Sequence, residues 1–96
     1  MNYILFKFRR VRYDPDKNEK LKRQRNVSFE DFINCKEENL LANIENNNPR
    51  YPGQRMFIAE IKGYIYVIPY VKNEEEIFLK TMIPSRKFRK LFRGDE

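Results

Sequence analysis

The chain has 96 residues, 20 of them Lys or Arg and 14 Asp or Glu, for a formal net charge of +6; this bounds it to one small domain spanning 1–96 and favours as partner a nucleic acid, or an acidic protein that imitates one. It contains no histidine and a single cysteine, Cys35, which excludes a His-based triad, a His general base, an intrachain disulfide and a four-thiolate zinc site, so that chemistry falls to Arg, Lys, Tyr, Asp or Glu with no metal or cofactor expected. A lone thiol fits a reducing cytoplasm, the start Met1-Asn2-Tyr3-Ile4-Leu5-Phe6-Lys7 breaks its apolar run too early for a signal peptide, and no segment reaches the roughly 18 to 20 apolar residues that span a bilayer.

Ile4-Leu5-Phe6-Lys7-Phe8-Arg9 mixes β-formers with partial alternation and predicts a first strand, at a sheet edge because of its cations. Asp14-Pro15-Asp16 supplies an N-cap followed by Pro at the first helical position, so a helix is expected from there to Arg25. Only Leu21 is strongly apolar within it, which predicts a mostly solvated, basic helix. Asn26 suits a left-handed helix end, and Ser28 with Asp31 three residues on resembles a capping box for a second helix that buries Phe29, Phe32 and Ile33. Leu40, Leu41 and Ile44 extend the apolar surface. Asn46 to Gly53 is dense in turn formers and reads as a loop. Charge is uneven: Lys7, Arg9, Arg10, Arg12, Lys17, Lys20, Lys22, Arg23 and Arg25 make the start basic, whereas Glu30, Asp31, Glu37, Glu38 and Glu45 make the middle acidic.

Beyond Gln54 the pattern becomes three strands, Arg55 to Ile61, Tyr64 to Val71 and Glu76 to Ile83, joined by Lys62-Gly63 and Asn73-Glu74-Glu75 as an antiparallel meander. Alternation separates Ile65, Val67 and Val71 from Tyr64, Tyr66, Ile68 and Tyr70, and Ile77, Leu79, Thr81 and Ile83 from Phe78, Lys80 and Met82. Placing the aliphatic sets under the helices leaves an open face of Tyr66, Tyr70, Phe78 and Lys80, with Arg55 and Phe57 beside them. Rings interleaved with cations suit single-stranded RNA, whose bases stack while cations hold phosphates; equally, Tyr is a good strand residue that shields a sheet. Pro69 has no donor for a central ladder and implies a bulge that would turn Tyr70.

The last element, Arg86 to Arg93, is cationic at five of its eight positions. Phe88, Leu91 and Phe92 recur at helical spacing, giving a narrow buried stripe on an otherwise basic helix. Lys87, Arg89, Lys90 and Arg93 are then RNA-binding candidates through phosphate contacts and general field, while a charged outer face is also what any terminal helix needs for solubility. Together these elements give an α+β fold: an N-terminal strand and a three-strand meander, helices on one face, and a basic C-terminal helix.

Four segments resemble the BrnT-like toxins of bacterial type II toxin–antitoxin pairs, small RNases related in fold to the RelE group. Asp14-Pro15-Asp16-Lys17 is similar to the family's Asp-Pro-x-Lys, Val27-Ser28-Phe29-Glu30 to its Val-Ser-Phe-Glu, Gln54-Arg55-Met56-Phe57-Ile58 to its strand led by Arg, and Ile83-Pro84-Ser85-Arg86-Lys87 to its Ile-Ser-Ala-Arg-Lys. The family carries Lys-His-Gly just before Val-Ser-Phe, where this chain has Gln24-Arg25-Asn26. The resemblance implies a metal-independent endoribonuclease acting on messenger RNA, free or on the ribosome, through the RNA's own 2′-hydroxyl, and a cognate antitoxin protein that covers the basic face. On that mechanism Arg55 and Arg86 are the expected phosphate clamp, Lys80 a further charge, and Tyr70 or Tyr66 a group that positions the hydroxyl or donates a proton. Glu60 is a weaker candidate for general base, since a strand carboxylate paired with Lys62 or Lys80 is the simpler expectation. Two other functions fit the same residues: a noncatalytic RNA- or DNA-binding module, and a basic subunit that meets an acidic protein.

Overall fold

Local chemistry sets the helix ends. In the computed structural model, which describes residues 10–94, a short strand β1 (Arg10–Tyr13) leads into helix α1 (Pro15–Arg25), where the Asp14 side chain accepts from the Asp16 backbone N–H at 3.0 Å and Pro15 occupies the first turn. Asn26 closes α1 in the left-handed conformation (φ 56°), which asparagine tolerates better than most residues with a Cβ. Helix α2 (Phe29–Ile33) opens on the expected capping box: the Ser28 Oγ accepts from Asp31 N, and Asp31 Oδ2 accepts from Ser28 N at 2.9 Å.

Four further strands form the body of the sheet: β2 (Leu40–Glu45), β3 (Arg55–Ile61), β4 (Tyr64–Lys72) and β5 (Glu76–Leu79); a two-residue strand β6 (Ile83–Pro84) then precedes helix α3 (Arg86–Arg93). The sheet order is β1-β5-β4-β3-β2, with β6 also on β4; β1 runs parallel to β5 and the other pairs are antiparallel. The α+β class and the basic C-terminal helix are as expected, and the sheet is mixed. The strand predicted at Ile4–Arg9 lies outside the described residues. Lys62 and Gly63 turn β3 into β4 with positive φ at both positions (53° and 79°), the two-residue geometry whose twist matches the flanking strands.

The meander differs from expectation at two places. Leu40 to Glu45 is a strand of its own, paired with β3 through a register shift between Leu40 and Ala42 that breaks its hydrophobic alternation. The expected strand from Glu76 to Ile83 is split: Tyr70 pairs with Leu79 and Val67 with Ile83, so three residues, Lys80 to Met82, face two, Ile68 and Pro69. The Pro69 carbonyl accepts from Lys80 N at 2.8 Å, and the amide edge that proline lacks points to the same side, so the ladder cannot continue there. The bulge predicted from Pro69 therefore sits on the neighbouring strand. It exchanges Thr81 for Met82 as the buried side chain, Met82 being 0 % exposed, and leaves the alternation of β4 intact.

Helices α1 and α2 cover one sheet face over a core of Leu21, Phe29, Phe32, Phe57, Ile68, Tyr70 and Leu79. Phe57 stacks on Tyr70 with ring centroids 4.1 Å apart, and Phe32 meets Phe57 at 5.1 Å. Each such ring contributes about 2 to 3 kcal/mol by burial. Because α1 offers only Leu21 to this core, a polar clip completes its attachment: buried Asn18 accepts from Phe29 N at 2.8 Å and donates to Glu30 at 2.8 Å, while the Tyr13 hydroxyl donates to the other Glu30 oxygen at 2.7 Å. These donors hold the Glu30 carboxyl down at about 2 from its ordinary 4.5.

Helix α3 lies on the opposite face. Phe88 and Phe92 pack on Ile58, Ile65 and Val67, and Leu91, the third member of the expected stripe, remains 71 % exposed.

Candidate nucleic-acid interface

Side chains that pair directly across antiparallel strands share a face, and this register reverses the face expected to be open. Tyr70 pairs with both Arg55 and Leu79, and Phe57 pairs with Ile68; all lie on the side of α1 and α2. Tyr66 and Tyr70 are 7 % and 2 % exposed, so neither ring is available to a base. Alternation had separated the two sets in β4 correctly, but both are covered: the tyrosine set by α1 and α2, Ile65 and Val67 by α3.

The expected constellation of Arg55, Lys80, Arg86 and Tyr70 is not assembled. Arg55, at the start of β3, donates through Nε to Asn43 Oδ1 at 3.3 Å and through a terminal nitrogen to the Asn43 carbonyl at 3.2 Å, and the Tyr70 hydroxyl donates to the same Asn43 Oδ1 at 2.7 Å. Asn43, which carries no sequence signal, thus ties Arg55 and Tyr70 into the structure of the β2–β3 edge. Lys80 follows Leu79 and Phe78 by alternation onto the other face, and Arg86 begins α3 on that face. Burial raises the Tyr66 phenol above its ordinary value, with nearby Arg25 opposing, which removes it as a base near neutral pH.

A different set does share a surface. Helix α3 covers only part of its face, leaving Val71 and Ile44 38 % and 37 % exposed and Met56 and Phe78 half-buried. Around this apolar floor stand cations. Lys80 Nζ lies 5.4 Å from the Phe78 ring centroid, Arg12 pairs in register with Phe78, and Lys87 lies on the flank of α3 opposite Arg89 and Arg93, with Nζ 5.5 Å from the Phe88 centroid. The carboxylates that the register places here are already engaged: Glu76 accepts from Arg12 at 3.4 Å, and Glu60 is bonded by Arg93. Among the described residues, Lys80, Arg86, Lys87 and Lys90 have no carboxylate partner. Of the remaining RNA-binding candidates, Arg89 sits over the Tyr64 ring at 5.5 Å and with Arg93 borders the β3–β4 turn. The basic helix thus has Arg89 and Arg93 committed on one flank, with Arg86 a near neighbour of Arg93 by helical spacing, Lys87 on the other flank, and Lys90 on the side away from the sheet.

No group of three or more Cys, Asp or Glu side chains stands close enough to hold a metal ion among the described residues, and no helix there is long and apolar enough to cross a membrane. No family model, no curated protein and no solved structure matches the chain.

Proposed function

We propose that the chain is the toxin of a type II toxin–antitoxin pair, a metal-independent endoribonuclease that grips RNA across the half-open sheet face beside α3 and is silenced by an antitoxin covering the same cations. The observation that carries this reading is the sorting of charge on that face. Its carboxylates are neutralised by Arg12 and Arg93, while Lys80 beside the half-buried Phe78 and Lys87 on the near flank of α3 have no carboxylate partner among the described residues, and Arg86 and Lys90 add to the positive field of α3. Such a surface suits a single strand, whose phosphates meet the ammonium groups and whose bases meet an apolar floor. The four segments that resemble the toxin family also stand at element starts, opening α1, α2, β3 and α3.

The chemistry asks little of the protein beyond charge. The RNA 2′-hydroxyl gives its proton to water as its oxygen attacks the adjacent phosphorus, the bond to the 5′-oxygen breaks and that oxygen takes a proton from water, and the products are a 2′,3′-cyclic phosphate and a 5′-hydroxyl. Extra negative charge on the phosphate oxygens at the transition state is met by fixed cations, which bind it more tightly than the ground state. Lys80 and Arg86 carry that role here. Arg55 and Tyr70, occupied with Asn43, are structural. The separation of Arg55 from Lys80 favours a second reading, in which the face binds RNA and cuts nothing.

Incubating the purified chain with single-stranded RNA in EDTA separates the two. Cyclic-phosphate fragments that vanish with Lys80→Ala or Arg86→Ala support the nuclease; intact RNA held with steep salt dependence selects the binding module. Absence of both binding and cleavage, on free and ribosome-bound RNA, refutes both.

A further inference from the structure

The cations of α1 are not part of the face just described. Lys17, Lys20, Leu21 and Gln24 recur at helical spacing on one flank of α1, and this flank forms a groove with Arg25, Thr81 and the exposed Ile83. Among the described residues, no acidic side chain lines the groove. The helix sorts its charges to make it so: Glu19 turns away and pairs with Lys22 at 3.0 Å, while Lys17 and Lys20 have no carboxylate partner among the described residues. Two like charges three residues apart on a helix cost stability, and neither is needed to anchor α1, which the Asn18 clip and Leu21 already do. Arg25 donates to the Met82 carbonyl, so the far wall of the groove is fastened to the end of α1.

That wall is the bulge created by Pro69. Lys80 lies at its start, on the open face, and Thr81 within the groove, so the connection from Lys80 to Met82, about 10 Å if extended, is all that separates the two surfaces along the chain. From this we infer that the α1 groove is a second RNA subsite: a phosphodiester of the strand bound on the open face crosses the Lys80–Met82 bulge and is held by the Lys17 and Lys20 ammonium groups, with the Thr81 hydroxyl as a further donor. Ile83, 43 % exposed, provides an apolar surface for the sugar. The inference rests on the RNA-binding reading above and extends its footprint around the sheet edge. Lysines suit this role, as mobile point charges that track a backbone without reading its sequence.

The test measures anisotropy of a fluorescein-labelled single-stranded RNA titrated with chain across a range of salt concentrations. Lys17→Ala with Lys20→Ala is expected to lower the steepness of the log–log salt plot by about 1.4, from about 0.7 per phosphate contact on a single strand, and to weaken binding about 25-fold at 0.1 M salt. Alanine favours the helix, and circular dichroism checks that it is retained; Lys20→Glu, which keeps a long side chain, is expected to weaken binding further than Lys20→Ala. A control that removes the same charge elsewhere, Lys36→Ala with Lys72→Ala, is expected to keep the steepness of the unsubstituted chain. If the α1 variant binds like the unsubstituted chain, or loses no more than the control, the second subsite is refuted while RNA binding by the open face stands. If the unsubstituted chain binds no RNA, both fall.

Discussion

Glu30→Gln probes the clip that fastens α1 and α2 to β1. The Glu30 carboxyl titrates at about 2 in the folded chain against an ordinary 4.5, because Asn18 and Tyr13 both donate to its ionised form. A lowered folded value means stabilisation that is complete above about pH 4.5 and disappears as pH falls toward 2, where the folded form must also take up the proton. The gap of about 2.5 on the pH scale sets a ceiling of about 3.4 kcal/mol. Glu30 is solvent-exposed, so screening reduces the expected contribution to about 1 kcal/mol. Urea unfolding at pH 7 and pH 3 measures it. The unsubstituted chain is expected to lose about 0.6 kcal/mol more than Glu30→Gln between the two pH values, because about three-fifths of the stabilisation is gone at pH 3, other carboxylates titrate alike in both and glutamine keeps an acceptor for Asn18. Equal losses would show that Glu30 is not held in its ionised form by this clip.

Tyr70→Phe keeps the ring stacked on Phe57 and deletes only the hydroxyl bonded to Asn43, so thermal unfolding is expected to show a cost of about 1 kcal/mol with RNA affinity unchanged; a fall in affinity or cleavage without loss of stability would return Tyr70 to the site. Asn26→Gly, at a left-handed helix end (φ 56°), is expected to be neutral or slightly stabilising, and Asn26→Ala to cost about 1 kcal/mol by urea titration. Phe88→Ala, which opens the contact between α3 and the sheet, is expected to cost about 2 to 3 kcal/mol, whereas Leu91→Ser at a position 71 % exposed is expected to stay within about 0.5 kcal/mol.

What was legible in the chain was what is local. Asp14-Pro15, Asn26, Ser28 with Asp31, and Lys62-Gly63 act within a few residues of themselves, and each sits where its chemistry placed it. The face of a strand depends instead on partners far away in sequence. Tyr70 looks like an outward ring until its row is known, and its row contains Arg55, set by the Lys62-Gly63 turn, and Leu79, set by how Asn73 to Glu75 turn. The same row took Arg55 out of the site. Strand β2 was hidden because the shift at Leu40 and Ala42 erased its period, and the parallel place of β1 was hidden because nothing near Arg10 points to Glu76. Phe78, Lys80 and the cations of α3 were legible, since neighbouring positions on one strand and one helix need no register to be grouped. The α1 groove carried a signal too, in the spacing of Lys17, Lys20 and Gln24, which reads as plain solubility until Thr81 and Ile83 are seen opposite.

The parallel pairing of Arg10 to Tyr13 with Glu76 to Leu79 also governs when the molecule can come into being. Its first described strand has no described partner until Glu76 to Leu79 have left the ribosome, and α1 and α2 have no sheet to rest on until β3 and β4 have emerged. Contacts so remote in sequence form slowly. Synthesis must therefore have passed α3 before the cationic surfaces are drawn together, so a nascent chain interrupted before Glu76 lacks this architecture.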